Sequence, residues 1–187
     1  MMIRASARIL AIATLLSLTT FFFFSSGDAC SNIPLMRWTD ACFKACRPPL
    51  YSLCQETLQD APDVAELTAY VILAARLAKR SYDDTVGRAE RLIATGAIPG
   101  EQRQPYQQCI EDYATARNQM VSLVTQLVNC DFENAGPEYA AAVAAMVSCG
   151  RGLAPGTPLV AMNEADRDRT MVAYQLALLI LGKSTRS

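Results

Sequence analysis

The chain contains no histidine. That excludes Ser-His-Asp and Cys-His triads, and every zinc motif built on imidazole. No glycine-rich loop followed by a lysine occurs, so nothing supports a nucleotide site. Basic blocks are absent too. Lys and Arg total 17 against 18 Asp and Glu, a net charge of -1, which does not suit nucleic acid. No Asn-x-Ser/Thr triplet is present to accept a glycan. Stretches with strand-like alternation are nearly missing, and no segment repeats. Carboxylates alone can serve a glycosidase. Here Asp83 with Asp84, and Glu111 with Asp112, are chain neighbours that diverge on a helix, and each pair reads as a solvated face. The chain is therefore read as non-enzymatic, without metal or cofactor.

Long apolar runs are also lacking, with one exception at the start. Arg4 and Arg8 form a basic head, an apolar run follows from Ile9 to Phe24, and the small residues Gly27 and Ala29 come next. This is the pattern of a secretory signal peptide spanning residues 1–29. The competing reading is a membrane anchor, but the run falls short of the roughly 20 residues that a bilayer needs. Residues 30–187 then form one ordinary domain, exported to the extracellular space.

All seven cysteines follow the predicted cut, so disulfides are permitted. An odd number leaves at least one thiol outside any internal bridge. Residues 30–60 form a cysteine-rich head, in which Pro48 and Pro49 interrupt two short helical stretches. Residues 61–187 carry four amphipathic patterns. The first starts after Pro62 and carries Val64, Leu67, Val71, Ala74, Ala78, Tyr82, Thr85, Ala89 and Leu92, ending at Gly96. The second carries Tyr106, Cys109, Ile110, Tyr113, Ala116, Met120, Val124 and Leu127. The third runs from about Glu138 to Leu153, with Tyr139, Ala142, Val143, Met146 and Cys149 on one side. Asn163 reads as the cap of the fourth, with Asp166 at the third position of a capping box, and Met171, Tyr174, Leu178 and Leu181 as its stripe, widened by Val172, Ala177 and Leu179. Residues 152–162 read as a mobile turn, and the last residues as frayed. The fold class is all-α: an up-and-down antiparallel four-helix bundle preceded by a short N-terminal helical hairpin and stapled by disulfides.

Cys109 and Cys149 sit on the inner stripes of neighbouring antiparallel helices, where they can meet. Cys46 and Cys54 flank the proline break and can close a tight loop. For each of these pairs the alternative is a buried free thiol. Spacing does not assign Cys30, Cys42 or Cys130.

Three stretches resemble the plant invertase and pectin methylesterase inhibitor family: CRPPLYSLCQETL at 46–58, YQQCIEDYATA at 106–116, and MVAYQLALLI at 171–180. The 40-residue step from Cys109 to Cys149 adds to the likeness. The resemblance implies a helical hairpin closed by Cys46–Cys54 and a bundle stapled by Cys109–Cys149. It implies a protein of the apoplast or vacuole that binds one target enzyme one-to-one and needs no catalytic residue. The target would be a pectin methylesterase or an acid invertase. The Pro-Lys-Phe motif of invertase inhibitors aligns here with Pro137, Glu138 and Tyr139, and a glutamate would be repelled by an acidic cleft. That favours pectin methylesterase. The expected contact surface is on the second and third bundle helices: Glu111, Asp112, Thr115, Asn118, Gln119, Ser122, Glu138 and the aromatic Tyr139. Two other classes fit the same features, a non-inhibitory interaction protein of the cell wall and a small-ligand carrier.

Overall fold

The computed structural model describes Cys30 and residues 33–182. The chain divides into two units, residues 1–31 and 32–187, and of the first only Cys30 is described. The signal peptide at residues 1–29 and the frayed tail at 183–187 lie outside the described residues.

A short strand, β1 (Leu35–Arg37), leads into α1 (Trp38–Ala45) and α2 (Leu50–Leu58). A second strand, β2 (Val64–Glu66), pairs antiparallel with β1 in the register Leu35–Glu66, Met36–Ala65, Arg37–Val64. This corrects the sequence reading, which ran the first long helix through Val64. The helix begins only at Leu67, and Val64 is exposed. Pairing holds because Tyr70, in the first turn of that helix, points its hydroxyl at the carbonyls of Met36 (3.0 Å), Pro62 (3.0 Å) and Asp63 (3.2 Å).

Four long helices follow: α3 (Leu67–Ala94), α4 (Arg103–Val128), α5 (Ala135–Gly152) and α6 (Pro158–Ile180). Each packs on its neighbours around a ring, and α6 returns against α3. The hairpin of α1 and α2 lies against α6. Stripe and burial agree closely on the first three helices. Leu67, Val71, Ala74, Ala78, Tyr82, Thr85 and Ala89 are buried, as are Tyr106, Cys109, Tyr113, Ala116, Met120 and Leu127. Gly96 ends α3 in the left-handed region (φ +65°), a conformation that favours glycine. Its N–H and that of Ala97 close the last turn onto Ile93 (3.3 Å) and Leu92 (3.1 Å).

The fourth helix starts five residues before the expected cap. Thr157 takes the extended N-cap conformation and Pro158 the first helical position, where a missing N–H costs nothing. Asn163 and Asp166 are therefore interior positions of α6, and both are buried. The inward stripe is Thr170, Val172, Ala173, Leu176, Ala177 and Leu178; of the expected residues Val172, Ala177 and Leu178 belong to it, while Met171, Tyr174, Leu179 and Leu181 are only half-buried. The segment expected to be a mobile turn shrinks to residues 153–157.

The head disulfide also differs from expectation. Cys54 pairs with Cys42, with 5.6 Å between their Cα atoms, and Cys46 is a buried free thiol. The hairpin turns at Pro48–Pro49. Antiparallel partners sit equally far from the turn, and Cys42 and Cys54 are both six residues from Pro48. Cys46 is one helical turn too close, roughly 6 Å along the axis. It has also left the helix for an extended conformation (φ -111°, ψ 144°). Cys109 pairs with Cys149, and Cys30 and Cys130 are also disulfide-bonded.

Burial pushes the Cys46 thiol from 9.0 up to about 11. The folded state keeps this proton to higher pH than the unfolded chain does. Its contribution is fully present below pH 9 and lost as pH rises through about 11. A loss of about 2–3 kcal/mol across that window is expected in urea melts. Cys46→Ala should remove this component, whereas the same slope in both proteins would refute the assignment. At neutral pH the native thiol should resist a maleimide that labels one cysteine in the unfolded chain.

Candidate functional site

The sequence placed the contact surface on α4 and α5. Glu111, Thr115 and Asn118 are exposed on α4, and Asp112, Gln119 and Ser122 are half-buried. Several of these groups are occupied within the chain. Thr115 donates to the carbonyl of Glu111 (3.2 Å), as an exposed helical threonine does. Gln108 reaches Asp112 at 3.5 Å. Ser122 donates to Glu138 Oε1 at 2.7 Å, and Gln126 donates to the same oxygen at 2.8 Å. Glu138 thus ties the start of α5 to the last turns of α4. Replacing Glu138 with alanine should cost about 1–2 kcal/mol, read from the urea midpoint, because two charge-assisted bonds are lost at a half-buried place.

Tyr139 is not a surface anchor. It is fully buried, with its ring 5.4 Å from that of Tyr174, and burial holds its phenol well above the ordinary value. An aromatic one residue past a partly exposed Glu138 turns by about 100° around the helix, here into the core.

The outward side of α4 has another property. Ala114, Asn118, Val121, Thr125 and Val128 recur at steps of four and three, and all five are exposed. No charged residue occurs from Asn118 to Val128 in α4, nor from Tyr139 to Gly150 in α5. By contrast, α3 carries Arg76, Lys79, Arg80, Asp83, Asp84, Arg88, Glu90 and Arg91. On that side Asp83 pairs with Lys79 (2.9 Å) and Arg117 (2.9 Å), which lowers its carboxyl below the ordinary value.

The interior holds a polar cluster that the sequence reading missed. Asp166, on α6, is 1% exposed. It accepts hydrogen bonds from Ser81 and Thr85 (2.6 Å) of α3 and from Tyr113 (2.7 Å) of α4. Arg169 lies 3.7 Å from the carboxylate and donates to Ser81 (3.4 Å). Tyr82 and Thr170 share a hydrogen bond beside it, and Thr170 donates to the Asp166 carbonyl (2.7 Å). Asn163 closes the upper side, donating to Tyr113 at 3.5 Å. Burial, then the nearby Asp166 charge, raise the Tyr113 phenol well above its ordinary value. Burial does the same for Tyr82. These phenols stay protonated and donate. The carboxylate is saturated and closed off from solvent, so the cluster joins helices and has no free base to offer a substrate. Asn163, Asp166 and Thr170 follow one another at three and four residues, in phase with Ala173 and Ala177. That periodicity was the available signal.

Gly150 makes room for this cluster. A Cβ there would meet Asn163 Oδ1 at 2.8 Å. Gly150→Ala should lower stability by about 1–3 kcal/mol in thermal melts, since the buried amide has to move.

A half-open groove of about 460 Å³ lies where α2, α3 and α6 meet, over Leu73, Leu77, Arg80 and Arg169. Among the described residues, no three His, Cys, Asp or Glu side chains are grouped to hold a metal. Also among them, no helix is long and apolar enough to cross a membrane.

Solved structures identify the architecture. A mutant form of a pectin methylesterase inhibitor from Arabidopsis superposes with a TM-score of 0.64, covering 81% of this chain and 99% of that one at 14% identity. The fold is that of a pectin methylesterase inhibitor. A second inhibitor structure, from Arabidopsis thaliana, matches with a TM-score of 0.58, covering 80% and 97% of the two chains, again at 14% identity. No family model and no curated sequence matches the chain. The inhibitor fold is therefore carried here by helix pattern and core rather than by residue identity.

Proposed function

We propose that this chain is a secreted protein inhibitor that binds a pectin methylesterase one-to-one and covers its substrate groove. The observation that supports this reading most is the fold match, which takes in nearly the whole length of two such inhibitors. A rigid bundle with a sealed interior suits a task of shape and surface rather than chemistry. The contact face is the outer side of α4 and α5, through Glu111, Thr115, Asn118 and neighbours, with Asp112, Gln119, Ser122 and Glu138 at its margin. Residues 1–29 act as the export signal, and the destination is the apoplast. The bonds from Ser122 and Gln126 to Glu138 hold the two helices in register and fix the face before binding, which lowers the ordering cost of association.

Parallel titrations into a plant pectin methylesterase and an acid invertase test the choice of target. The proposal expects loss of esterase activity and no effect on invertase, because no lysine stands at position 138. Inhibition of invertase alone would replace the target. Inhibition of neither, by a folded protein, would point to a wall protein that kept the bundle and changed its partner.

A further inference from the structure

We infer that the C-terminal half of the α4 contact face, from Asn118 to Val128, is a non-ionic seam with Val121 and Val128 as its apolar anchors, and that this half meets an uncharged, apolar strip on the target esterase. This rests on the inhibitor reading above and specifies the chemistry of the same face. Val121 is 44% exposed and Val128 61%; the other exposed large apolar side chains, Leu35, Phe43, Val64 and Leu77, lie on β1, α1, β2 and α3, so these two are the pair on α4. They stand two helical turns apart on one side of α4, with Thr125 between them and Ala114 and Asn118 continuing the line. That repeat of three and four is the spacing with which a helix presents a seam to a partner.

Electrostatics select the partner. Interface cores are depleted of charge and rich in anchors that exclude water. A charged strip laid on this seam would lose its water and find no counter-charge, since Asn118 to Val128 carries none. The carboxylate of Glu138, at the margin, already accepts two hydrogen bonds. An uncharged partner surface loses nothing of that kind.

The experiment uses protein secreted by an expressing host, titrated into a plant pectin methylesterase. Val121→Lys combined with Val128→Lys is expected to weaken inhibition about 100-fold. Both positions are exposed, so the melting temperature should hold. Ala69→Lys combined with Ala94→Lys, both exposed on α3, is the charge-matched control, and Thr125→Lys is the second probe should the double variant unfold. Full inhibition by the lysine variants would overturn the inference while leaving the inhibitor reading in place. A dimer in sedimentation that the lysines dissociate would assign the seam to a second copy of this chain and overturn it as well. No inhibition by the unmodified protein at tenfold excess would remove the inhibitor reading, and this inference with it.

Discussion

Replacing Asp166 with alanine is expected to cost the fold about 4 kcal/mol. The carboxylate is the common acceptor for Ser81, Thr85 and Tyr113, which belong to two other helices. Its loss leaves the buried hydroxyls of Thr85 and Tyr113 without their acceptor, each at a cost of about 1–3 kcal/mol before relaxation, while the half-buried Ser81 can turn to water. It also leaves Arg169 without the charge 3.7 Å away. A domain of this size has about 5–15 kcal/mol in total, so the variant should sit near its folding limit at 37 °C. Urea unfolding followed by far-UV dichroism reads the change directly. A double-mutant cycle with Tyr113→Phe should return a coupling of about 1–3 kcal/mol, because the two residues share one bond. A loss below about 1 kcal/mol from Asp166→Ala would mean that the cluster is tolerated rather than stabilising.

Removing the bridge between α4 and α5 should matter about as much. Cys109→Ala with Cys149→Ala opens a closed segment with a sequence separation of 40. The chain-entropy estimate for that closure is about 4 kcal/mol. In a domain of this length the loss corresponds to a fall in melting temperature of about 12 °C. Sequence makes the dependence plausible, since α5 buries small side chains at Ala135, Ala142 and Ala145. Each removes less apolar surface from water than a leucine would, at about 25 cal/mol per Å². The same double substitution at Cys42 and Cys54, with a separation of 12, should cost less, about 3 kcal/mol. The order of the two effects is the test. A larger loss at the head would show that hairpin packing, not chain closure, governs the result.

Helix periodicity carried most of the architecture. Val71, Ala74, Ala78 and Tyr82 on α3, and Tyr106, Cys109, Tyr113 and Met120 on α4, face the core where their spacing puts them. Position 46 shows what spacing cannot supply. Closeness to the proline break made Cys46 look like the partner of Cys54, but antiparallel helices pair residues equally far from the turn, which selects Cys42. Strands β1 and β2 are three residues each, too short for an alternating pattern to register. Asn163 and Asp166 misled because polar residues near a helix start resemble caps. Their burial depends on hydroxyls at Ser81, Thr85 and Tyr113, more than 50 residues away in the chain. Tyr139 failed as an anchor for a related reason. One residue of helical rotation separates Glu138, tied to α4 at the surface, from a ring inside the core. The uncharged part of the outer face, Asn118–Val128 on α4 and Tyr139–Gly150 on α5, was present in the sequence as two runs without charge, but the exposure of Val121 and Val128 became visible only with the fold.

The proposed action is the occupation of an enzyme. Its most direct test adds the secreted, oxidised protein stepwise to a plant pectin methylesterase at mildly acidic pH, following residual activity and the mass of the species formed. The account predicts a linear fall in activity that reaches zero at one equivalent, with a new species at the summed mass of one inhibitor and one enzyme. Full activity at tenfold excess, with the two proteins still separate in mass, would contradict it.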